Sequence, residues 1–320
     1  MKKILVSGAS TIVGYGILRS LLKSEEKLYL IGTSIYDDSV AEGFCDKFIK
    51  APKTNDANYI TWLKNIISEF DIDMIIPGID ADMYAWSENK AQLDNGKVVM
   101  LINNLNLISL CKDKWEFYNT LIQKKNNHII DSSLSANFEE LEHKFKLPMI
   151  LKPRQGFGSK GIVKVYTKEI FENNKQLIGE TLMVQPLVGY DDEEYTTSAF
   201  CDGKGGFYAS MTLKRKLSKD GFTEKAEVVT ISGLSDVIKN LCEVFNPIGP
   251  TNFQFRLHHG ILKLLEINPR ISSSTSIRSS FGYNESLMAI SYFLEHKDPK
   301  QPVIKEGKAV RYIEDFIFYK

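Results

Sequence analysis

Neither sign of charge is in excess in this chain of 320 residues: 40 lysines and arginines meet 40 aspartates and glutamates. Without a net field nothing draws in nucleic acid or an anionic membrane surface, and any basic site has to be local. Cysteine is scarce, with four scattered residues (Cys45, Cys111, Cys201 and Cys242) and no Cys-x-x-Cys. That argues against a disulfide framework or a structural zinc site and leaves reduced, mostly buried thiols. None of the five histidines belongs to an evident catalytic triad, and His258-His259 reads as an exposed hairpin tip. No run of about 18 apolar residues occurs, so no spanning helix is expected. The opening Met1-Lys2-Lys3-Ile4-Leu5-Val6 stops at Ser7-Gly8, too soon for a secretory signal, and the cytoplasm is the expected location. The dinucleotide fingerprint Gly-x-Gly-x-x-Gly is missing too, because positions 8, 10 and 13 are Gly, Ser and Val. The glycines at 8, 14 and 16 are adequately explained by tight packing of a helix on a strand.

What is present has a rhythm. Over 1–103, short apolar runs (4–6, 28–31, 74–76, 98–102) alternate with amphipathic stretches (13–22, 59–70), which implies βαβ units and a parallel sheet. Residues 104–147 read as mostly helical, with periodic segments at 105–121 and 137–145. From Pro148 strands dominate (149–151, 162–166, 182–188, 195–200, 207–213), interrupted by helices near 168–178, 234–245 and 284–295. The tail 309–319 is apolar enough for a packed final strand. The expected class is therefore α/β and then α+β: a Rossmann-like domain at 1–103, a helical linker and small lid subdomain at 104–185, and a C-terminal subdomain at 186–320.

Two segments carry chemistry. Leu264-Leu265-Glu266-Ile267-Asn268-Pro269-Arg270 follows an apolar run, and strand side chains two apart share a face, so Glu266 and Asn268 point the same way. Both offer oxygen to a hard cation such as Mg²⁺. Arg270 adds a planar fork for a phosphate or carboxylate. Upstream, Lys152 ends a strand before Gln155-Gly156-Phe157-Gly158-Ser159-Lys160-Gly161, a loop able to wrap backbone N–H groups around an anion. A glycine-rich hairpin turn explains the loop equally, but not a lysine on its buried side, whose ammonium needs an anion there. Gln185-Pro186-Leu187 suits a flat heterocycle, 191–194 suits ribose hydroxyls or is a solvated acidic turn, and Lys214-Arg215-Lys216 is a solvated face or a phosphate clamp.

In this order the pieces resemble the ATP-grasp superfamily of carboxylate ligases, most closely the carbamoyl-phosphate-synthase-like branch in a single unit with its preceding Rossmann-like domain. The resemblance implies ATP with Mg²⁺, or Mn²⁺ in its place, as cofactors. It assigns nucleotide binding to Lys114, Lys152, Gly156, Gly158, Ser159, Gly161, Gln185, Pro186, Leu187 and one of Glu193 and Glu194. Metal ligation falls to Gln254, Glu266 and Asn268, with Gln254 where glutamate is commoner and one negative charge is thereby lost. Arg215, Arg270 and Lys152 would stabilise the moving phosphoryl group. Ser274 and Arg278, in the serine-rich loop 272–278, are candidate substrate contacts, with 7–11 and 80–82 as further contributors; a solvated loop is the plain alternative.

The implied reaction turns a carboxylate into an acylphosphate that an amine displaces. Small-molecule acid and amine partners follow from that, with a homodimer as the commonest assembly. A nucleotide-binding module without catalysis, suggested by Gln254, and a Rossmann-type oxidoreductase are the alternatives.

Overall fold

The first sheet is built as the apolar runs imply. Its elements are β1 (Lys2–Val6), α1 (Gly14–Leu21), β2 (Leu28–Ser34), β3 (Lys47–Lys50), α2 (Tyr59–Phe70), β4 (Met74–Ile76), α3 (Asp80–Glu88), α4 (Lys90–Leu93) and β5 (Val99–Met100). All pairings are parallel, in the order β3-β2-β1-β4-β5. Ile4 and Val6 pack with Ile17, Leu18 and Leu21 of α1, while Leu5 between them packs with Leu63 and Ile67 of α2. A strand covered on both faces has no polar side, hence the unbroken apolar triplets. This computed structural model describes residues 1–156, 161–190, 193–218 and 221–318.

The expected helix over 105–121 is broken in two, α5 (Leu105–Cys111) and α6 (Lys114–Gln123). Asp113 is the reason: its carboxylate accepts from the N–H of Trp115 and starts a new helix. After α7 (Phe138–Phe145) come β6 (Met149–Pro153), β7 (Val163–Val165), α8 (Lys168–Glu172) and β8 (Leu182–Pro186), whose strands form an antiparallel sheet ordered β7-β6-β8. The helix expected to run to 178 stops at Glu172 and gives way to a short 3₁₀ turn at Lys175–Leu177.

The largest sheet takes β9 (Glu194–Asp202), β10 (Phe207–Leu217), β11 (Thr223–Val228), then, after α9 (Leu234–Phe245), β12 (Ile248–His258) and β13 (Ile261–Asn268). Helices α10 (Thr275–Ser280) and α11 (Glu285–Glu295) precede the edge strand β14 (Lys308–Val310). Its order is β13-β12-β9-β10-β11-β14, all antiparallel. One face is apolar and lies on α9, with Phe253 and Phe255 against Leu241. The other carries Glu194, Thr196, Ser198, Asn252 and Arg215, all buried. The tail departs from expectation: only Lys308–Val310 join the sheet, and Ile313 is 97% exposed. Past Arg311, whose N–H still donates to the Glu224 carbonyl of β11 at 2.9 Å, the chain reaches the first domain, where the Phe316 ring meets Phe44 at 5.9 Å. Among the described residues no helix is long and apolar enough to cross a membrane.

Candidate active site

Register assembles the site. Gln254 lies opposite Glu266 and Asn252 opposite Asn268 across β12 and β13. Arg256 lies opposite Glu194, and Glu194 opposite Arg215, across β12, β9 and β10. Alternation then turns Glu266, Asn268, Gln254, Arg256, Glu194 and Arg215 to one face. Lys214 and Lys216, one position to either side, point away from buried Arg215.

Lys152, on β6, comes down onto that face: its Nζ donates to the carbonyl of Leu265 at 3.2 Å. Burial pushes its ammonium down to about 8, against the pull of Glu266. For Glu266, burial works to raise the carboxyl, but Lys152 and Lys114 outweigh it, helped by Asn268 Nδ2 donating at 3.1 Å, and hold it below the usual carboxylate range. A strand-end lysine stripped of water beside one shared carboxylate leaves cationic character for an incoming anion.

Lys114 enters from the first turn of α6. Its Nζ donates to the Gly156 carbonyl at 2.8 Å, and its own N–H to the Arg154 carbonyl at 2.9 Å, while Arg154 pairs with Asp113 at 2.7 Å. The start of α6 is thus tied to the root of the glycine loop. Gly156 and Gly161 sit at φ +114° and +75°, which only glycine adopts freely. Gly158 and Ser159 lie outside the described residues, as do 191 and 192. Lys114, Gly156, Glu266 and Asn268 line a cleft of about 320 Å³, together with Asp80 and Tyr84 of α3 and Cys111.

At the hinge, Gln185 Nε2 donates to Ser132 Oγ at 2.8 Å, and the Leu187 N–H to the Pro148 carbonyl at 3.1 Å. Pro186 stands between them as the last residue of β8. The side chain of Gln185 is therefore engaged within the protein. His258, expected as an exposed turn residue, accepts from the N–H of Gly189 at 3.2 Å and props the chain that follows the hinge.

Several residues stand differently from their sequence-derived roles. Glu194 is no open ribose ligand: it is 4% exposed and pairs with Arg215 at 2.7 Å and Arg256 at 3.1 Å, which leaves the half-buried Glu193 as the ribose candidate. Gln254 Oε1 accepts from Arg215 at 2.7 Å. Arg270 is engaged within the protein, its Nε and one Nη on the Asp80 carboxylate at 2.6 and 3.0 Å and its other Nη on the Ile271 carbonyl. Burial opposes ionising Asp80, but Arg270 prevails and holds its carboxyl low. Arg270 thus joins β13 to the first domain rather than facing a phosphate. Ser274 and Arg278 are inside the protein, not in a pocket. Ser274 bonds Thr223 Oγ1 at 2.8 Å, and Arg278, 0% exposed, donates to Ser272, Thr196 and Asn252. Register over two further strands was needed to see this, and no local motif carries it. Arg256 closes the stretch Asn252-Phe253-Gln254-Phe255-Arg256, which resembles the first metal-ligand strand, but the resemblance assigns it no role, although it stands two positions from Gln254 and so shares its face.

Residues 179–316 match the protein family described as "ATP-grasp in the biosynthetic pathway with Ter operon". That match covers less than half of the chain and likens its C-terminal part to the ATP-grasp superfamily of carboxylate ligases. A curated relative, the carbamoyl phosphate synthase large chain of Archaeoglobus fulgidus, is 25% identical over 199 residues, which are 57% of this chain and 18% of that one. The chain thus spans less than a fifth of that relative's length. Among solved structures, N5-carboxyaminoimidazole synthetase from Staphylococcus aureus superposes with a TM-score of 0.74 at 14% identity, over 95% of this chain and 80% of that chain. The biotin carboxylase domain of Hydrogenobacter thermophilus 2-oxoglutarate carboxylase, in complex with MgADP, ADP and bicarbonate, gives 0.72 at 14%, over 96% and 73%. At such identities these likenesses establish the ATP-grasp fold.

The cleft is bounded by the end of β13, by α3, by the α5–α6 junction and by Gln155 and Gly156 just after β6. The turn after β1, by contrast, is filled by its own packing. A Cβ on Gly78 would come within 2.1 Å of the Ser7 carbonyl oxygen, and one on Gly14 within 2.3 Å of that of Gly8. Backbone close approach accounts for these glycines without a dinucleotide.

Proposed function

We propose that the chain is an ATP- and Mg²⁺-dependent carboxylate–amine ligase, in which a small-molecule acid takes the γ-phosphoryl group of ATP and an amine then displaces phosphate from the acylphosphate. The observation that carries this is the cleft lined by Lys114, Gly156, Glu266 and Asn268, with Lys152 buried beside it, its Nζ on the carbonyl of cleft-lining Leu265 and its charge set against Glu266. Lys152 and Lys114 bind the phosphates as cations, and the N–H groups around Gly156 and Gly161 cover them. Pro186 and Leu187 border the base and Glu193 takes the ribose. Arg215, clamped by Glu194, keeps its guanidinium in register with Gln254 and steadies charge at the transferred group.

The donor set fits a hard cation: one carboxylate and two amide oxygens on one face, a ligand set that phosphate oxygens complete. Glu266 with Asn268, and Gln254 once its oxygen leaves Arg215, would hold Mg²⁺, which when bound neutralises charge on the phosphate oxygens. No acid–base residue is required of the protein beyond these, since the amine attacks an already activated acyl group. The domain division at 103 and 185, a cytoplasmic location and a homodimer belong to the same reading.

The test is ADP formation from Mg·ATP with paired acids and amines. Wild-type protein releases ADP only when an acid is present, and Lys152→Ala stops release while the circular dichroism spectrum stays unchanged. ADP formation that ignores every acid would reduce the protein to a nucleotide-binding module.

A further inference from the structure

A second cluster of charge lies away from the nucleotide cleft, along α1 where it meets α10. Gly16 permits the approach: a Cβ there would stand 3.2 Å from Thr275 and 3.7 Å from Ser276 Oγ. One turn apart on α1 are Tyr15 and Arg19, and Lys23 follows just past its end. Lys23 Nζ donates to Ser279 Oγ at 2.9 Å and to Ser280 Oγ at 3.1 Å. From the C-terminal segment Arg311 reaches the same serine-rich loop and donates an Nη to the carbonyl of Ser273, and its buried Nε has no hydrogen-bond partner.

Three cations are thus gathered, and among the described residues none has a carboxylate partner. They also oppose one another. Burial and the charge of Arg19 lower the pKa of Lys23, and the guanidinium of Arg311 is likewise lowered by burial, against the raising effect of the Tyr15 phenol and with a smaller push from Arg19. Elsewhere in this protein buried cations are compensated, as Arg215 is by Glu194, Arg270 by Asp80 and Arg154 by Asp113. An uncompensated cluster flanked by hydroxyls has the chemistry of an anion site. Chain connectivity limits its distance from the proposed metal site. Ser273 follows Asn268 by five residues, so the two stand no further apart than about 18 Å, the reach of five extended residues.

We infer that Arg19, Lys23 and Arg311, with the hydroxyls of the serine loop, bind a second anionic group of the acid substrate, a phosphate ester or a further carboxylate, while the acid to be activated reaches the nucleotide cleft. The substrate-class part of this rests on the ligase reading; the anion site itself does not. Two measurements keep them apart.

Inorganic phosphate titrated into the full chain and followed by amide NMR should bind wild type and Glu266→Ala alike, and at least tenfold more weakly in Arg19→Met. Arg19 is exposed and its loss leaves the fold intact, whereas Arg311→Met, which also removes the bond to Ser273, serves as the second variant. Phosphate that is lost in Glu266→Ala and kept in Arg19→Met sits in the nucleotide cleft and overturns the inference, as does binding that no variant alters. In the second measurement ADP formation is compared for serine, aspartate and O-phosphoserine as the acid, which separates a carboxylate from a phosphate as the second anion. The dianionic acids should be preferred at least tenfold in kcat/KM, with Arg19→Met raising their KM at unchanged kcat and unchanged KM for ATP. Equal use of all three overturns the substrate assignment. If no acid supports ADP formation but phosphate binding follows Arg19, the ligase reading fails and the anion site stands.

Discussion

The two large sheets of this protein spend their side chains differently. In the parallel sheet β1 sends Ile4 and Val6 to one helical layer and Leu5 to another, and every one of them is fully buried. In the antiparallel sheet one face is as apolar as that, while the other holds Glu194, Arg215, Arg256, Gln254 and Glu266. A buried ion pair is a poor source of stability compared with hydrophobic packing. Its placement on one face of one sheet coincides with the proposed site, while the first domain contributes Asp80 at the start of α3, which steadies Arg270.

Substitutions on the two sheets should therefore separate activity from stability. The largest effect is expected for Glu266→Ala, which removes the only carboxylate of the proposed metal site: turnover should fall by about 10³-fold or more, a loss of the size seen when a transition-state charge partner is removed, measured as ADP release at saturating Mg·ATP. A stability-only counterpart is Ile75→Ala in β4, 0% exposed, which should cost about 2–5 kcal/mol in urea unfolding yet leave activity per folded molecule unchanged. Glu194→Gln tests the middle ground. It removes the charge of the carboxylate that Arg215 and Arg256 share, so a loss of about 3 kcal/mol is expected, together with reduced turnover, because Arg215 is held less firmly. If Glu194→Gln altered activity without altering stability, the clamp would be a ligand site after all.

The smallest effect is one of pH. Lys152 titrates from about 8 in the folded protein against 10.5 for an ordinary lysine. Its charged form is the disfavoured one in the native state, so the native protein sheds that proton first and gains stability as pH rises from about 8 towards 10.5. Nucleotide affinity should move the other way, weakening by at most about tenfold per pH unit above 8 as the cation is lost. Calorimetric titration of Mg·ADP between pH 7 and pH 9 checks this, and Lys152→Arg, which stays charged, should flatten the profile.

The elements built on strong apolar periodicity are legible in the residues themselves: α2 and β4 fall where 59–70 and 74–76 read as helix and strand. Local pattern misleads where one polar side chain overrules it, as Asp113 does in splitting 105–121. It misleads also in the tail, whose apolar residues past Val310 are largely exposed instead of forming a strand. For the site, pairs two residues apart are readable because a strand fixes their common face. Partners more distant in sequence are not, and that is why Arg270 and Arg278 resemble ligand contacts when read along the chain.

The linear sequence determined that a carboxylate, an amide and a desolvated lysine belong to one oxygen-rich, phosphate-directed chemistry, because strand alternation and loop glycines act over a few residues. Only the tertiary structure decided which cations are paired with a carboxylate or held by other protein groups and which are gathered without an ion pair among the described residues. Arg215, Arg270 and Arg278 found partners on strands and helices tens to hundreds of residues away, whereas Arg19, Lys23 and Arg311 were brought together with no carboxylate beside them among the described residues. Charge compensation depends on distance in space, and distance in space is what a sequence leaves to the fold.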